Sequence, residues 1–339
     1  MNNEPTPVAA ILPAAESMPA VPEPSSPHNV FFGAGGLRVG WRLAIYLAVV
    51  FGLQYLIVQR GLRLIPGVAE IMKQAQSSGV LTPRFELIFE STAILIVFLA
   101  AGIMSRIEKR SLGVYGLPVE GAFGKLFWQG ALWGLGFESL EMLAIFALGG
   151  YSFGGFALAG AALLKYAVLW AIGFVLVGIF EEFLFRGYAQ FTLGSGIGFW
   201  PAAFLLSAAF GAVHLSNPGE GWVGALAVFA FGMLGCMMLR RTGNLWFMVG
   251  FHASSDYAET FIYSTPDSGM LAQGHMLNSS FHGPRWLTGG TIGPEGSALA
   301  FVVMAIAFLL STGLIHPKRL QADIHLPAET KFGILLLTS

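Results

Sequence analysis

Glu181, Glu182 and Arg186 interrupt a stretch that would otherwise dissolve in hydrocarbon. An ionisable side chain at the centre of a spanning helix costs on the order of 2.5 to 3.5 kcal/mol on insertion scales, so three together need a reason. On a helix Glu182 and Arg186 share a face four residues apart and can pair, while Glu181 points about 100° away. One acid is matched and one is left over. Two later apolar stretches carry further groups: Phe210 and His214 at a spacing of four, then His252 and Asp256 at the same spacing. A carboxylate in a low-dielectric cavity beside an imidazole can take a proton from water and return it to a leaving amine, which is the equipment of a hydrolase. The same side chains are Zn²⁺ ligands, and three of them with a bound water would make an open catalytic site.

The elements that must position these groups are membrane helices. The 339 residues are 55% hydrophobic and 11% charged, with a net charge of -1, and the mean hydropathy is +0.68. Charge at that level is less than half that of an ordinary soluble domain. The chain reads as an all-α, polytopic membrane bundle of about eight transmembrane helices. Nothing in its overall charge argues for a nucleic-acid partner. The single Cys236 excludes an intrachain disulfide and a Cys-ligated structural metal site, and it reads as a small buried hydrophobe.

In chain order, residues 1–36 have the Pro, Ala, Ser and Glu content of a disordered tail, with no basic start and apolar core of a signal peptide. Apolar runs follow at about Trp41 to Val58, Glu86 to Met104, Leu126 to Leu148 and Tyr166 to Thr192, the last expected to end at Gly194, Ser195 and Gly196. Three more lie at about Phe199 to His214, Trp222 to Leu239 and Asn244 to Tyr263, and the eighth at Ser297 to Ile315. Residues 37–160 are taken as N-terminal transmembrane helices and 161–263 as a catalytic core. Residues 264–296 are taken as an extramembrane loop, 297–316 as the last span and 317–339 as a C-terminal tail. Glu86 and Glu90 read as interfacial end residues. Glu138 and Glu141, three apart, are expected to meet Arg186 or line a cavity.

Eight spans put both termini on one side. Assigning them to the cytoplasm gives that side twelve of the 18 Lys and Arg residues, as the positive-inside rule asks. At 1.5 Å per residue, Glu181 then lies roughly 16 Å into the membrane, and His214, His252 and Asp256 lie roughly 12 to 23 Å from the same side. Three non-adjacent helices can thus bring two Glu, two His and one Asp to one depth. No His-Glu-x-x-His stands in the sequence, so a soluble-type zincin is not indicated. A serine protease built on Ser195 would leave the acids unexplained.

These motifs resemble the CPBP family of intramembrane proteases, which includes type II CAAX prenyl endopeptidases and bacteriocin-processing or Abi-like immunity proteins. Glu181, Glu182 and Arg186 fit its Glu-Glu-x-x-x-Arg motif, Phe210 and His214 fit Phe-x-x-x-His, and His252 and Asp256 fit His-x-x-x-Asn/Asp, in that order. The resemblance implies a metallo- or glutamic-type intramembrane endopeptidase. Glu181 and His214 would activate the attacking water, with Glu182, His252 and Asp256 completing the catalytic set. Arg186 is expected to fix the Glu doublet and Phe210 to pack. If a metal such as Zn²⁺ is bound, His214, His252, Asp256 and Glu181 are its expected ligands. In the prenyl-protein proteases the last motif ends in Asn, proposed to hold the oxyanion; an ionised Asp256 cannot donate there. Implied partners are the lipid bilayer and membrane-embedded or lipidated peptide substrates, with a multi-pass location in the plasma membrane and a wet cavity toward the cytoplasm. Competing readings are a non-catalytic immunity or scaffold protein and a proton-coupled small-solute transporter, since buried Glu and His also make proton relays.

Overall fold

Pro83 at the first helical position and Thr82 before it start the helix that carries Glu86 and Glu90. The Thr82 hydroxyl accepts from the Phe85 N–H at 3.2 Å, and Lys109, in the left-handed conformation at φ 54°, ends the helix. The computed structural model describes residues 30–33, 36–78, 80–217 and 219–315. The expected tail up to residue 29 and the expected tail at 317–339 lie outside the described residues. The segment ending at Arg38 holds, taken by itself, a short hairpin of β1 (Phe32–Gly33) and β2 (Gly36–Leu37).

From Val39 onward the protein is a helical bundle. The helices are α1 (Val39–Gln54), α2 (Pro66–Ser78), α3 (Pro83–Glu108), α4 (Lys125–Ala147), α5 (Gly160–Arg186), α6 (Tyr188–Ile197), α7 (Phe199–His214), α8 (Trp222–Thr242), α9 (Trp246–Tyr257), α10 (Arg285–Thr288) and α11 (Ala298–Leu314). Helix α1 continues through a π-turn at Tyr55–Gly61 and a 3₁₀ turn at Leu62–Leu64, and α9 continues through a π-turn at Ala258–Ile262.

Among the described residues, five helical runs are long and apolar enough to cross a membrane: Val39–Leu64, Pro83–Glu108, Lys125–Ala147, Gly160–Ile197 and Trp222–Thr242. Helices α7 and α11 are apolar but shorter, and α9 is a 12-residue helix that carries His252 and Asp256. The fourth run differs from the sequence expectation. It does not stop at Gly194–Gly196, where Ser195 donates to the Thr192 carbonyl inside α6, but at Gly198 with φ 91°. It also breaks at Gly187, so Glu181 stands five residues before the end of α5 rather than in the middle of an unbroken helix.

Glycines set how closely the helices approach. A Cβ on Gly130 would lie 1.8 Å from the Phe247 carbonyl oxygen, on Gly134 2.1 Å from that of Phe251, and on Gly250 2.0 Å from that of Phe127. Helix α9 is therefore seated backbone to backbone on α4, and it packs against α5 on another side. Residues 264–296 fold back on the bundle. Strand β3 (Val80–Leu81) pairs in parallel with β5 (Leu271–Ala272), and β4 (Tyr151–Ser152) pairs antiparallel with β6 (Ser280–Phe281). Trp170 donates its indole N–H to the Gln273 carbonyl at 3.1 Å, and Tyr151 its hydroxyl to the Tyr263 carbonyl at 2.6 Å. At the opposite end of the bundle the Glu108 carboxylate gathers Arg42, Tyr115 and Tyr188.

The backbone contact makes a prediction. Gly134→Ala and Gly250→Ala each force a clash and are expected to destabilise the fold by about 1–3 kcal/mol. Gly136→Ala, on α4 with nothing within 4 Å of its added carbon, should leave the thermal midpoint in detergent unchanged or slightly raised. Equal losses for all three variants would refute the close seating of α9 on α4.

Candidate active site

Helix α5 presents the Glu doublet to α9, because their packing is close at Gly178, whose added Cβ would come within 2.9 Å of the Val249 carbonyl oxygen. The two acids then separate by environment. The Glu182 side chain is 0% exposed, whereas those of Glu181 and Asp256 are 21% and 19% exposed. The matched acid is the sealed one, and the leftover acid reaches open space.

Glu182 Oε1 accepts from Arg186 Nη1 at 3.1 Å and from His252 Nδ1 at 3.0 Å. A carboxylate paired with a guanidinium is ionised and accepts only, so His252 carries a proton on Nδ1. The Arg186 guanidinium lies over the Phe210 ring, 4.3 Å from its centroid, and that ring meets the His214 imidazole edge-on at 4.8 Å. His214 Nδ1 lies 2.9 Å from the Phe210 carbonyl oxygen, which can only accept; Nδ1 is again the protonated nitrogen, and Nε2 is left with a lone pair. Both imidazoles are fixed by their Nδ1 hydrogen bonds. His252 Nε2 then stands 3.5 Å from Glu181 Oε2 and 3.4 Å from Asp256 Oδ2.

These groups share a cavity of about 590 Å³ that Glu181, Phe210, His214, His252 and Asp256 help to line. Glu182 and Arg186 are sealed behind it. Of the expected contacts, Glu182 with Arg186 and His252 with Asp256 are present. The one across space is different: among the described residues no hydrogen bond or ion pair joins Glu181 to His214, and Glu181 stands against His252 instead. His214, at the last position of α7, faces the same cavity from another wall.

The cavity holds more acid than the motifs indicate. It is lined by nine carboxyl groups, with no Lys or Arg among the described lining residues. Glu86 and Glu90 are among them, each 7% exposed, because α3 lies on α5 with Glu86 Cγ only 3.3 Å from the position of a Cβ on Gly173. They therefore face the cavity inside the bundle instead of the surrounding medium. Their own spacing of four, matching that of the motif pairs, was the signal for one shared inward face. Glu138 and Glu141 do line the cavity and do not meet Arg186; Glu141 accepts from the Ser297 hydroxyl at 2.8 Å. Glu259, Asp267 and Glu295 were not singled out from the sequence. Glu259 stands seven residues after His252 and continues its helical stripe, but Asp267 and Glu295 arrive through long-range folding that no local pattern encodes.

Outside the spanning helices, burial pushes the Glu295 carboxyl well above its ordinary range, and neighbouring Asp267 adds to the shift. Burial also raises the Asp267 carboxyl, against the lowering effects of the Thr260 hydroxyl and His252. The cavity extends to the end of the bundle covered by residues 264–296, with Ser216, Asn217 and Ser268 in its wall. That is the end where α3, α5, α8 and α11 begin, opposite the end that gathers Arg42, Glu108 and Tyr188.

With this geometry in view, comparison with known families adds one finding. Residues 162–258 match the family described as Type II CAAX prenyl endopeptidase Rce1-like. The match is a similarity over this segment and is consistent with the CPBP family. The segment contains every residue of the three motifs. The match supports an intramembrane protease of the CAAX type in general, and with it a multi-pass membrane protein. The chain has no match among curated proteins.

The sealed pair gives a separate prediction. Removing one partner leaves the other charge buried and uncompensated, at a cost of about 3–5 kcal/mol. Glu182→Ala and Arg186→Ala are thus expected to lower the thermal midpoint strongly, and Glu181→Ala, which removes a partly exposed carboxylate from an acid-rich wall, to lower it little. A midpoint for Glu182→Ala no lower than for Glu181→Ala would contradict the division between sealed and open acid.

Proposed function

We propose that the protein is an intramembrane endopeptidase of the cell membrane that hydrolyses peptide bonds of membrane-associated, lipidated or apolar substrates with a water activated by Glu181. The observation that carries this reading is the meeting of the partly exposed Glu181 carboxylate and two imidazoles in a single cavity, each imidazole pinned through Nδ1 and each with Nε2 as its remaining nitrogen. A volume near 590 Å³ suits a peptide segment, and the apolar side chains of Phe85, Phe89, Phe231 and Met270 in its wall suit a hydrophobic chain.

In the proposed reaction Glu181 accepts a proton from water as the oxygen attacks the substrate carbonyl, and that proton passes to the departing amine. His214 orients the water or the carbonyl from the facing wall. His252 is held against Glu181 by Glu182, whose charge Arg186 balances. Asp256 serves as a positioning residue for His252. It does not serve as an oxyanion donor, since its Oδ2 lies toward His252 Nε2 and its Oδ1 lies 3.4 Å from the Ser255 hydroxyl.

The residue types of the site are also those of a divalent-metal centre. Separations of 3.4 and 3.5 Å between His252 Nε2 and the two carboxylates exceed good hydrogen-bond lengths. Each of the two is near the edge, about 3.4 Å, of a tetrahedron of ligands bound at about 2.1 Å, but the Glu181 and Asp256 oxygens that face His252 Nε2 do not themselves come within 4.8 Å of each other. To hold a zinc-like ion, Glu181 and Asp256 would have to close together on His252, with His214 across the cavity as a further candidate, and the ion would then supply Lewis-acid polarisation of the carbonyl.

The test uses purified protein in lipid nanodiscs with lipidated C-terminal peptides and a peptide library. Glu181→Gln and His214→Ala are each expected to reduce turnover by about 10²- to 10⁴-fold while remaining folded. Unchanged cleavage in both would overturn the assignment. Metal analysis of the wild type beside His252→Ala and Asp256→Asn separates the two forms of the chemistry: zinc lost with these variants supports the metal form, and full activity in metal-free protein supports the Glu/His form.

A further inference from the structure

Beyond the His252 cluster, the cavity runs to a second polar group with its own geometry. Glu259, Asp267 and Glu295 each place a carboxylate oxygen within 4.8 Å of the other two. They come from separate parts of the chain: the π-turn that extends α9, the segment after it, and the 3₁₀ turn at Pro294–Gly296. Two are held from behind, since the Thr260 hydroxyl donates to Asp267 Oδ2 at 2.9 Å and the Ser268 N–H donates to Glu295 Oε1 at 2.7 Å.

The third acid points to a missing partner. Glu259 is 5% exposed, and its Oε1 is buried without a hydrogen-bond partner. A fourth carboxylate repeats the observation from a different helix: Glu138 of α4 lines the same cavity, is 9% exposed, and has a buried Oε1 that is equally unpartnered. A buried carboxylate oxygen without a donor is costly, and no Lys or Arg of the cavity wall is present to supply one. The donors are all hard oxygens, the preference of Ca²⁺, Mg²⁺ and Mn²⁺ and not of a thiolate- or imidazole-seeking ion. Oxygens on opposite sides of one Ca²⁺, bound at about 2.4 Å, are about 4.8 Å apart, so the three carboxylates fit within a single coordination shell. The two backing hydrogen bonds are the outer-shell support that such sites use.

We propose that Glu259, Asp267 and Glu295 form a binding site for a hard divalent cation of the Ca²⁺ class, which pins the 264–296 segment to the end of α9 and so closes that end of the cavity. The site is distinct from the one that His252 would hold, and the proposal does not depend on the protease reaction.

The experiment uses the full-length protein in detergent, stripped with EDTA and titrated with Ca²⁺, Mg²⁺ or Mn²⁺. Direct binding is read by equilibrium dialysis, stability by thermal unfolding, and the covering segment by limited proteolysis. The expected result is one saturable equivalent, a midpoint that rises with cation concentration, and slower cleavage within 264–296. Asp267→Asn and Glu295→Gln are each expected to weaken binding by at least about tenfold. In EDTA these two variants should melt no lower than the wild type, because each removes one of three like charges; this also shows that they fold. Glu181→Ala and His252→Ala should retain the ion. Absence of saturable binding, binding unchanged in the Asp267→Asn/Glu295→Gln double variant, or an ion lost from Glu181→Ala would each overturn the proposal.

Discussion

Everything in the site hangs on a carboxylate that no solvent reaches. Glu182 is 0% exposed inside a membrane bundle, where an uncompensated charge would cost several kcal/mol, so its two partners are obligatory. Arg186 balances the charge and His252 donates a hydrogen bond to the same oxygen. The guanidinium needs room, and Gly232 and Gly235 of α8 provide it: a Cβ at Gly232 would lie 2.9 Å from Arg186 Nη2, and one at Gly235 would lie 3.3 Å from its Nε. Phe210 then covers the guanidinium and carries the coupling to α7, where its carbonyl fixes His214. One buried anion thus orients side chains on three helices: it fixes His252 Nδ1 directly, and through Arg186 it seats Phe210, whose carbonyl fixes His214 Nδ1.

The cavity itself has an uncommon charge balance. Nine carboxyl groups and two imidazoles line it, with no Lys or Arg among the described lining residues. Such a wall disfavours anions and favours protons, cations and cationic peptide groups. It also explains why the acids divide into two sets. Those near His252 share an imidazole, while Asp267 and Glu295 have a hydroxyl and a backbone donor behind them and Glu259 Oε1 has none. Two environments within one cavity therefore support two kinds of chemistry, the first suited to moving a proton and the second to holding a hard cation.

What the sequence made legible follows from the range of its information. A spacing of four on a helix is a local fact, so Glu182 with Arg186 and His252 with Asp256 could be paired on paper and are paired in the structure. The helical membrane bundle was equally legible from apolar length. Which helix face meets which is not local. Glu86 and Glu90 looked interfacial by position along α3, yet their rotation toward Gly173 of α5 decides their role. Glu181 was matched with His214 by depth, and the rotation of α9, set by backbone contact at Gly130, Gly134 and Gly250, brings His252 to it instead. Asp267 and Glu295 depend on the pairing of β3 with β5 and on the fold of residues 264–296, which composition alone presents as a loop.

The same long-range folding brings two sequence expectations into conflict. The basic clusters at Arg106, Lys109 and Arg110 and at Arg240 and Arg241 stand at the ends of α3 and α8, whereas the cavity reaches the end where those helices begin. If the positive-inside rule governs this bundle, the basic end is cytoplasmic and the covered end of the cavity faces away from the cytoplasm; a cavity open to the cytoplasm requires the reverse. The two expectations point to opposite ends of the bundle. The carboxylate cluster bears on the choice, because an all-oxygen site of three acids belongs most naturally where divalent cations reach millimolar concentration, the range in which extracellular Ca²⁺ modules bind. If the proposed cation site is occupied, it and the charge distribution point to the same orientation, with residues 264–296 on the outer face and the site reached through the bilayer.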